Sequence, residues 1–501
     1  MAAGANASLL FAGDLQAGRR GRLTMTAGVL GNLGLRSTAG CAVLRAATQR
    51  QRRKRDSGHH VRRMTTSLYL VIFIGTTACK AVAIDASGKV HATGSAEYPT
   101  YTPEPGVSEQ DVSEIWQGVR SALKQLAAKV DASRFEAMGL SGAMHSFLPI
   151  TGEGQPIARA LTWADTRQAR ALPELRNRLA QLRAYERTGC PAQWLYHPAR
   201  AAWWHQTHGP NLNGGFVAIK DWVLLQLTGK LATDTCIAAS TGWLDLHKRE
   251  WDSQLLSLGS IHRGQLPLLL EPTDRAGPVL GGVSPDAGVP QDVPGYPGGG
   301  DGGMANLGSG AVAPNASGSV VITVGTSGAV RITTDKPLLD PDQRTWCYCL
   351  TRGLYFAGGA INNGGLAVDR IRSEFYGDVP KDQGFAQLFD DAAKTEAGAE
   401  GVLLLPYYTG ERTPHWRPDL QPDLLNFSDR QRTHVARAAL EAVAFCLADV
   451  WDVLKPLMPV EARRFVRLTG GIVKSRLWSQ IVCDVLGVPL VLAEAADASA
   501  V

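Results

Sequence analysis

Two segments of this chain, 250 residues apart, carry one pattern, and that repeat limits the fold more than any other feature. "SLYLVIFIGTTACKAVAID", Ser67 to Asp85, reads as an apolar strand, a tight Gly75-Thr76-Thr77 turn and a second strand, and "DASGK" then supplies hairpin turn chemistry. "GSVVITVGTSGAVRITT", Gly318 to Thr334, repeats strand, Gly325-Thr326-Ser327 and strand. Two such units at matching places in two halves predict a duplicated fold. A glycine lets backbone approach closely, and successive N–H groups with a hydroxyl are what a phosphate chain requires.

Strands alternate with helices between and beyond the two copies. "VSEQDVSEIWQGVRSALKQLAAKV" has helical apolar spacing, with Ser108 or Asp111 as the cap, and "FEAMGLSGAMHSFLPIT" follows as strand, loop and strand. A long helix is predicted in "RTHVARAALEAVAFCLADVWDVLKPL", and "VRLTGGIVKSRLWSQIVCDVLGVPLVL" reads as strand, glycine pair, helix and strand. The class is mixed α/β, and at 501 residues two domains are expected.

The formal net charge of +5 misleads about partners. Residues 1–64 hold twelve of the 51 Lys and Arg but only Asp14 and Asp56 of the 46 acids, leaving 39 basic residues against 44 acidic ones. That balance gives no reason to expect nucleic acid or an anionic membrane as a partner. The basic segment, with "QRQRRKR", is read as a disordered or non-native extension before patterned sequence starts near Met64; a transit peptide or nucleic-acid arm is the alternative. No apolar run reaches the roughly 18 residues of a membrane helix. The eight cysteines form no framework, which suits a reducing cytoplasm. Cys347 and Cys349 are expected on one strand, pointing to opposite faces, as structural residues rather than metal ligands.

"GYPGGGDGGMANLGSGAV", Gly295 to Val312, sets one acid, Asp301, among glycines. Taken with the two Gly-Thr turns and the C-terminal glycine pair, this loop resembles the FGGY carbohydrate kinases of the actin-like, ribonuclease-H-like ATPase superfamily, over about residues 67–501. The resemblance implies two domains, a sugar-binding one over 67–312 and a nucleotide-binding one over 316–501, with a catalytic cleft between them. It makes Gly75, Thr76, Thr77, Gly325, Thr326 and Ser327 the phosphate loops, with Lys80 following the first. "GGAINNGG" would put Gly359 and Asn363 near the adenosine, and "LTGGIVKSRLW" nominates Gly470, Gly471 and Ser475.

Within the family pattern Asp301 matches the catalytic base, followed by Gly302, and "SGAMHS" places Met144 and His145 against the sugar. A sugar hydroxyl must lose its proton while attacking the γ-phosphoryl group in line, so a carboxylate in reach serves as base and orienter. "ALTWADTRQ" and "RTGCP" look most like the gluconate-phosphorylating members, with Trp163, Asp165 and Arg167 flanking the substrate. The implied reaction is ATP-dependent phosphorylation of D-gluconate to 6-phosphogluconate. A xylulose kinase of the same fold, and a non-catalytic relative that binds nucleotide or sugar, are the alternatives. The substrate carboxylate wants a cation, for which Arg167, Lys220 and His145 are the candidates. Asp234 is expected to organise its own loop.

The implied small-molecule partners are a sugar acid and ATP, with Mg²⁺ across the phosphates. A homodimer stays open. Two departures stand out. Phe73 occupies the position at which the family carries an aspartate that helps hold the metal, so the metal ligands are unassigned. The chain also stops at "EAADASAV", where the resemblance leads one to expect more of the nucleotide-side domain.

Overall fold

The computed structural model describes residues 66–209, 212–283, 288–311, 319–427, 432–464 and 466–493. The extension over 1–64, the boundary near 312–316 and the terminal "EAADASAV" beyond 493 lie outside these described residues. All described residues belong to one unit spanning residues 39–501.

The first half is built on β1 (Leu68–Ile74), β2 (Ala78–Ile84), β3 (Val90–Glu97), helix α1 (Val112–Ala127) and β4 (Phe135–Gly142). Then come α2 (His197–His208), α3 (Ile219–Thr228), β5 (Gly277–Pro278), β6 (Pro294–Gly300) and α4 (Asp301–Gly308). The second half comprises β7 (Ser319–Val324), β8 (Gly328–Thr334), β9 (Trp346–Thr351), β10 (Leu354–Ile361), α5 (Gly365–Phe375), α6 (Arg432–Leu454), β11 (Val466–Gly470), α7 (Arg476–Leu486) and β12 (Leu490–Leu492).

The duplication expected from the repeat appears as matching topology. The first sheet runs β5-β6-β4-β1-β2-β3 and the second β9-β10-β8-β7-β11-β12. In each, the strand before the Gly-Thr turn pairs antiparallel with the strand after it and parallel with a later strand on its other side. Register makes the correspondence residue by residue: Phe73 lies between Lys80 and Ser141, and Thr323 between Ala329 and Thr469.

Local chemistry explains the elements. Asp111, rather than Ser108, caps α1, its carboxylate accepting from the Ser113 N–H at 2.9 Å. The helix then buries Val112, Ile115, Val119, Leu123 and Leu126 against the sheet, giving an apolar stripe at helical spacing. The Asp85 carboxylate closes the β2–β3 turn by accepting from the N–H groups of Ser87 and Lys89. In the second half α6 is buried along most of its length, inside the core that also holds β7, β8 and β10.

The expectation for Cys347 and Cys349 fails on strand geometry. Residues two apart in a strand share a face; both thiols are buried within β9, and burial pushes each up to about 12. Among the described residues no helix is long and apolar enough to cross a membrane.

Candidate active site

Asp301 is the first residue of α4, directly after β6. β6 lies against β4 so closely that a Cβ on Gly298, whose φ is +64°, would stand 1.7 Å from the Leu140 carbonyl oxygen. A Cβ on Gly300 would likewise meet Met144 Cγ at 2.6 Å. Glycine is therefore required for the strand to reach the point at which the acid is presented.

The half-buried Asp301 carboxylate has its Oδ1 2.8 Å from its neighbour's Gly302 N–H. Burial raises its pKa above the ordinary aspartate value, against the opposing charges of Arg331 and Arg412 and hydrogen bonds from the Gly302 and Met144 N–H groups. A raised carboxylate suits a group that must collect a proton.

Sequence reasoning missed both arginines. Arg331 stands in β8, donates from Nη1 to Thr323 Oγ1 at 3.2 Å, and faces Asp301. Arg412 donates from Nε to Asn362 Oδ1 at 2.6 Å and lies over the Trp163 ring, 4.6 Å from its centroid. Desolvation lowers the pKa of each, and the charge of Arg412 lowers that of Arg331 further. A signal for Arg331 was present: it is the one charged residue in an otherwise apolar and hydroxyl strand.

The sugar-side candidates divide. Met144, buried, and Trp163 come to the cleft; Trp163 Nε1 donates to Thr76 Oγ1 at 3.2 Å, joining the predicted substrate side to the first turn. His145, at φ +63°, has Nδ1 3.1 Å from the Ser240 carbonyl and its ring edge-on to Tyr196 and Tyr348. Burial, then the charges of Arg200 and Arg412, bring its pKa down to about 3, so it is neutral near pH 7. The Tyr196 and Tyr348 hydroxyls are 2.7 Å apart and tie the first half to the second.

Asp165 and Arg167 are occupied elsewhere. Asp165 is fully buried, accepting from the Ser108 N–H, Gln168 Nε2 and Arg167, while Arg167 also pairs with Glu109 at 2.6 Å. Lys220, buried in α3, donates to the Pro297 carbonyl and pairs with Asp234 at 2.8 Å and Asp221 at 3.0 Å, so it is no solvated lysine. Asp234 also caps a short helix, accepting from the Cys236 and Ile237 N–H groups, as its expected loop role requires.

The two turns are fastened differently. Around the first, the Thr76 carbonyl accepts from Gln110 Nε2 at 2.5 Å and from Thr100 Oγ1, and Gly75 accepts from the Tyr98 hydroxyl. Around the second, the Gly325 carbonyl accepts from Gly365 N–H at 2.7 Å and the Thr326 carbonyl from Gly364 and Leu366 N–H, which seats the turn on the start of α5. Thr77, Gly325 and Thr326 are exposed, and Gly470 pairs with Val324 in register, bringing the glycine pair beside the second turn. Gly471 is exposed, and Ser475 caps α7. Lys80 stands opposite Phe73.

Gly359 and Asn363, expected near the adenosine, are packed against the 409–413 loop. Gly359 is buried where a Cβ would meet Thr413 Cγ2 at 2.2 Å, and buried Asn363 donates to the Gly410 carbonyl at 2.8 Å. Both contribute to holding the 409–413 loop in place.

The metal expected of such a cleft finds no protein cage. The Phe73 ring covers the first turn, with Cε1 2.9 Å from where a Gly75 Cβ would be, and Asp301 is already faced by Arg331. Among the described residues no three His, Cys, Asp or Glu side chains gather to hold a metal. The residues present do not fit a protein-held Mg²⁺ site.

The sequence models for the N-terminal and C-terminal domains of the FGGY family of carbohydrate kinases match residues 68–308 and 320–501. The chain belongs to the FGGY family of carbohydrate kinases. This FGGY kinase is 31% identical to a gluconokinase of Bacillus subtilis over 447 residues, 87% of this chain and 86% of that one. It is 29% identical to a xylulose kinase of Escherichia coli over 84% of this chain and 85% of the relative. The solved gluconate kinase of Lactobacillus acidophilus superposes with a TM-score of 0.78 at 29% identity, covering 87% and 88% of the two chains. A ligand-bound xylulose kinase from the same organism gives 0.78 at 28%, with the same coverage. The FGGY fold, with two mixed sheets that share a central strand arrangement, is the actin-like α/β architecture expected, and the activity class is carbohydrate kinase.

Proposed function

We propose that the protein transfers the γ-phosphoryl group of ATP to gluconate, with Asp301 as general base. The observation that carries this reading is the pairing at the cleft of one carboxylate, raised by burial, with two arginines that an anionic sugar can use. The similarity to gluconate kinases supports the substrate.

In this mechanism Asp301 takes the proton of the attacking hydroxyl as its oxygen bonds to the γ-phosphorus. The bond from that phosphorus to the β,γ-bridging oxygen breaks, giving 6-phosphogluconate and ADP, with the proton left on Asp301 for release to water. Gly75 to Thr77 with Lys80, and Gly325 to Ser327, hold the phosphates through N–H groups and hydroxyls. Gly470, Gly471 and Ser475 lie on the nucleoside side. Met144, His145, Trp163 and Gly302 line the sugar side, while Asp165 and Arg167 brace it from behind. Residues 67–312 then form the sugar domain and 316–501 the nucleotide domain. Trp163 stacked under Arg412 closes the cleft between them and keeps water from the γ-phosphate.

ADP release with gluconate, xylulose, ribulose, glycerol or no sugar tests the reading. Gluconate-dependent turnover that Asp301→Asn removes is the expected outcome. A preference for xylulose overturns it.

A further inference from the structure

A gluconate kinase must neutralise a carboxylate at one end of its substrate, and the three cations expected for that task are committed elsewhere. Arg167 is held by Asp165 and Glu109. Lys220 sits between two aspartates and a carbonyl, its charge already balanced. His145 is neutral, enclosed by tyrosine rings with arginine charges nearby. None has a charge left for a ligand.

Among the described residues Arg331 and Arg412 are the arginines that act on Asp301, and their surroundings differ. Arg412 is engaged by Asn362 Oδ1, the Ile361 carbonyl and the Trp163 ring, and it is adjacent in sequence to the buried Glu411. Among the described residues the hydrogen bond of Arg331 is the one to the Thr323 hydroxyl. A guanidinium has five donors, and the half-buried Arg331 commits one of them to a hydroxyl, so the others are open to an anionic ligand. Asp301 is the protein anion it faces, yet an arginine held there opposes the raised pKa that a base needs.

Geometry points the same group at the sugar. A Cβ placed on Gly302 would lie 3.3 Å from Arg331 Nε and 3.5 Å from Met144 Sδ, so the guanidinium, the thioether and the Asp301–Gly302 corner converge on one small space. Strand alternation fixes this aim: Arg331 shares its face of β8 with Thr333, whose hydroxyl accepts from Asn306 of α4, while Val330 and Ile332 turn into the core.

We propose that Arg331 is the counter-ion for the substrate carboxylate, and so the residue that makes this kinase select a sugar acid over a neutral sugar. The inference rests on the gluconate reading above. It assigns the second half of the molecule a part in choosing the sugar, through a planar fork suited to a carboxylate.

The test compares D-gluconate with D-glucitol, the same carbon chain with CH₂OH in place of the carboxylate, by calorimetric binding and by ADP release. It uses the full chain and its Arg331→Gln and Arg331→Lys variants. The wild type binds gluconate more tightly than glucitol, and Arg331→Gln reduces that preference by about 10-fold to 100-fold, the worth of a charge-assisted bond. Arg331→Lys restores part of it, since charge is kept while the fork is lost. If gluconate and glucitol fall together in Arg331→Gln, the arginine serves Asp301 or the phosphates and the inference is wrong while the gluconate reading stands. If the wild type turns over xylulose and not gluconate, the gluconate reading has failed. If it binds gluconate no better than glucitol, the inference fails whether or not turnover is seen.

Discussion

The two Gly-Thr turns occupy equivalent places in sheets that match around them, yet their floors are opposite in character. Two residues before the first turn stands Phe73, its ring against Gly75; two residues before the second stands Thr323, bonded to Thr469 at 2.9 Å and to Arg331. The first turn is fastened by side chains from Tyr98, Thr100, Gln110 and Trp163, the second by backbone N–H groups at the start of α5. Topology was duplicated, but electrostatics were not. One half presents an acid on a glycine strand, and the other brings the two arginines that act on it.

The sharpest way to break this division of labour is at the acid. Asp301→Asn is expected to lower kcat by about 10²-fold to 10⁴-fold with an unchanged melting temperature; loss of folding instead would make Asp301 a structural residue. Stability in the first half should fail at Lys220. Lys220→Met strands Asp221 and Asp234 in the interior, and urea unfolding should show a loss of about 3–5 kcal/mol.

Smaller effects probe the seam between the halves. Trp163→Ala removes the face on which Arg412 lies and the hydrogen bond to Thr76, and should cost about 1–2 kcal/mol in kcat/KM, close to tenfold, with more sugar-independent ADP release. Phe73→Asp makes the two floors alike in polarity. Titrating Mg²⁺ against turnover should show half-saturation at lower metal in this variant; an unchanged curve would mean that the first floor takes no part in metal handling. The pH profile distinguishes the titrating groups. The base must be ionised, so kcat/KM should rise with pH through an acid limb above the ordinary aspartate value, because burial raises Asp301. No second break is expected near pH 6.5, since His145 stays neutral at any pH above about 3.

Much of the frame was legible because it is local. Period-two apolar runs, a capped amphipathic helix and the repeated Gly-Thr turn are written in neighbouring residues, and so is the lone acid in its glycine loop. The surroundings that the sequence could not show depend on neighbours far along the chain. Asn363 donates to the Gly410 carbonyl and Gly359 packs against Thr413, about 50 residues away in each case. Arg167 and Lys220, candidates for the substrate carboxylate, are held by Glu109 and Asp165 and by Asp221 and Asp234.

The sequence by itself determined the duplicated α/β frame, the two Gly-Thr turns and the single acid in its glycine loop, since backbone preference and side-chain periodicity act over a few residues. Only the tertiary structure decided which charges are spent on the fold and which face the cleft. A charge is balanced by whatever lies within a few ångströms of it, and for Arg331 those neighbours are Thr323, eight residues away, and Asp301, across the boundary between the two halves.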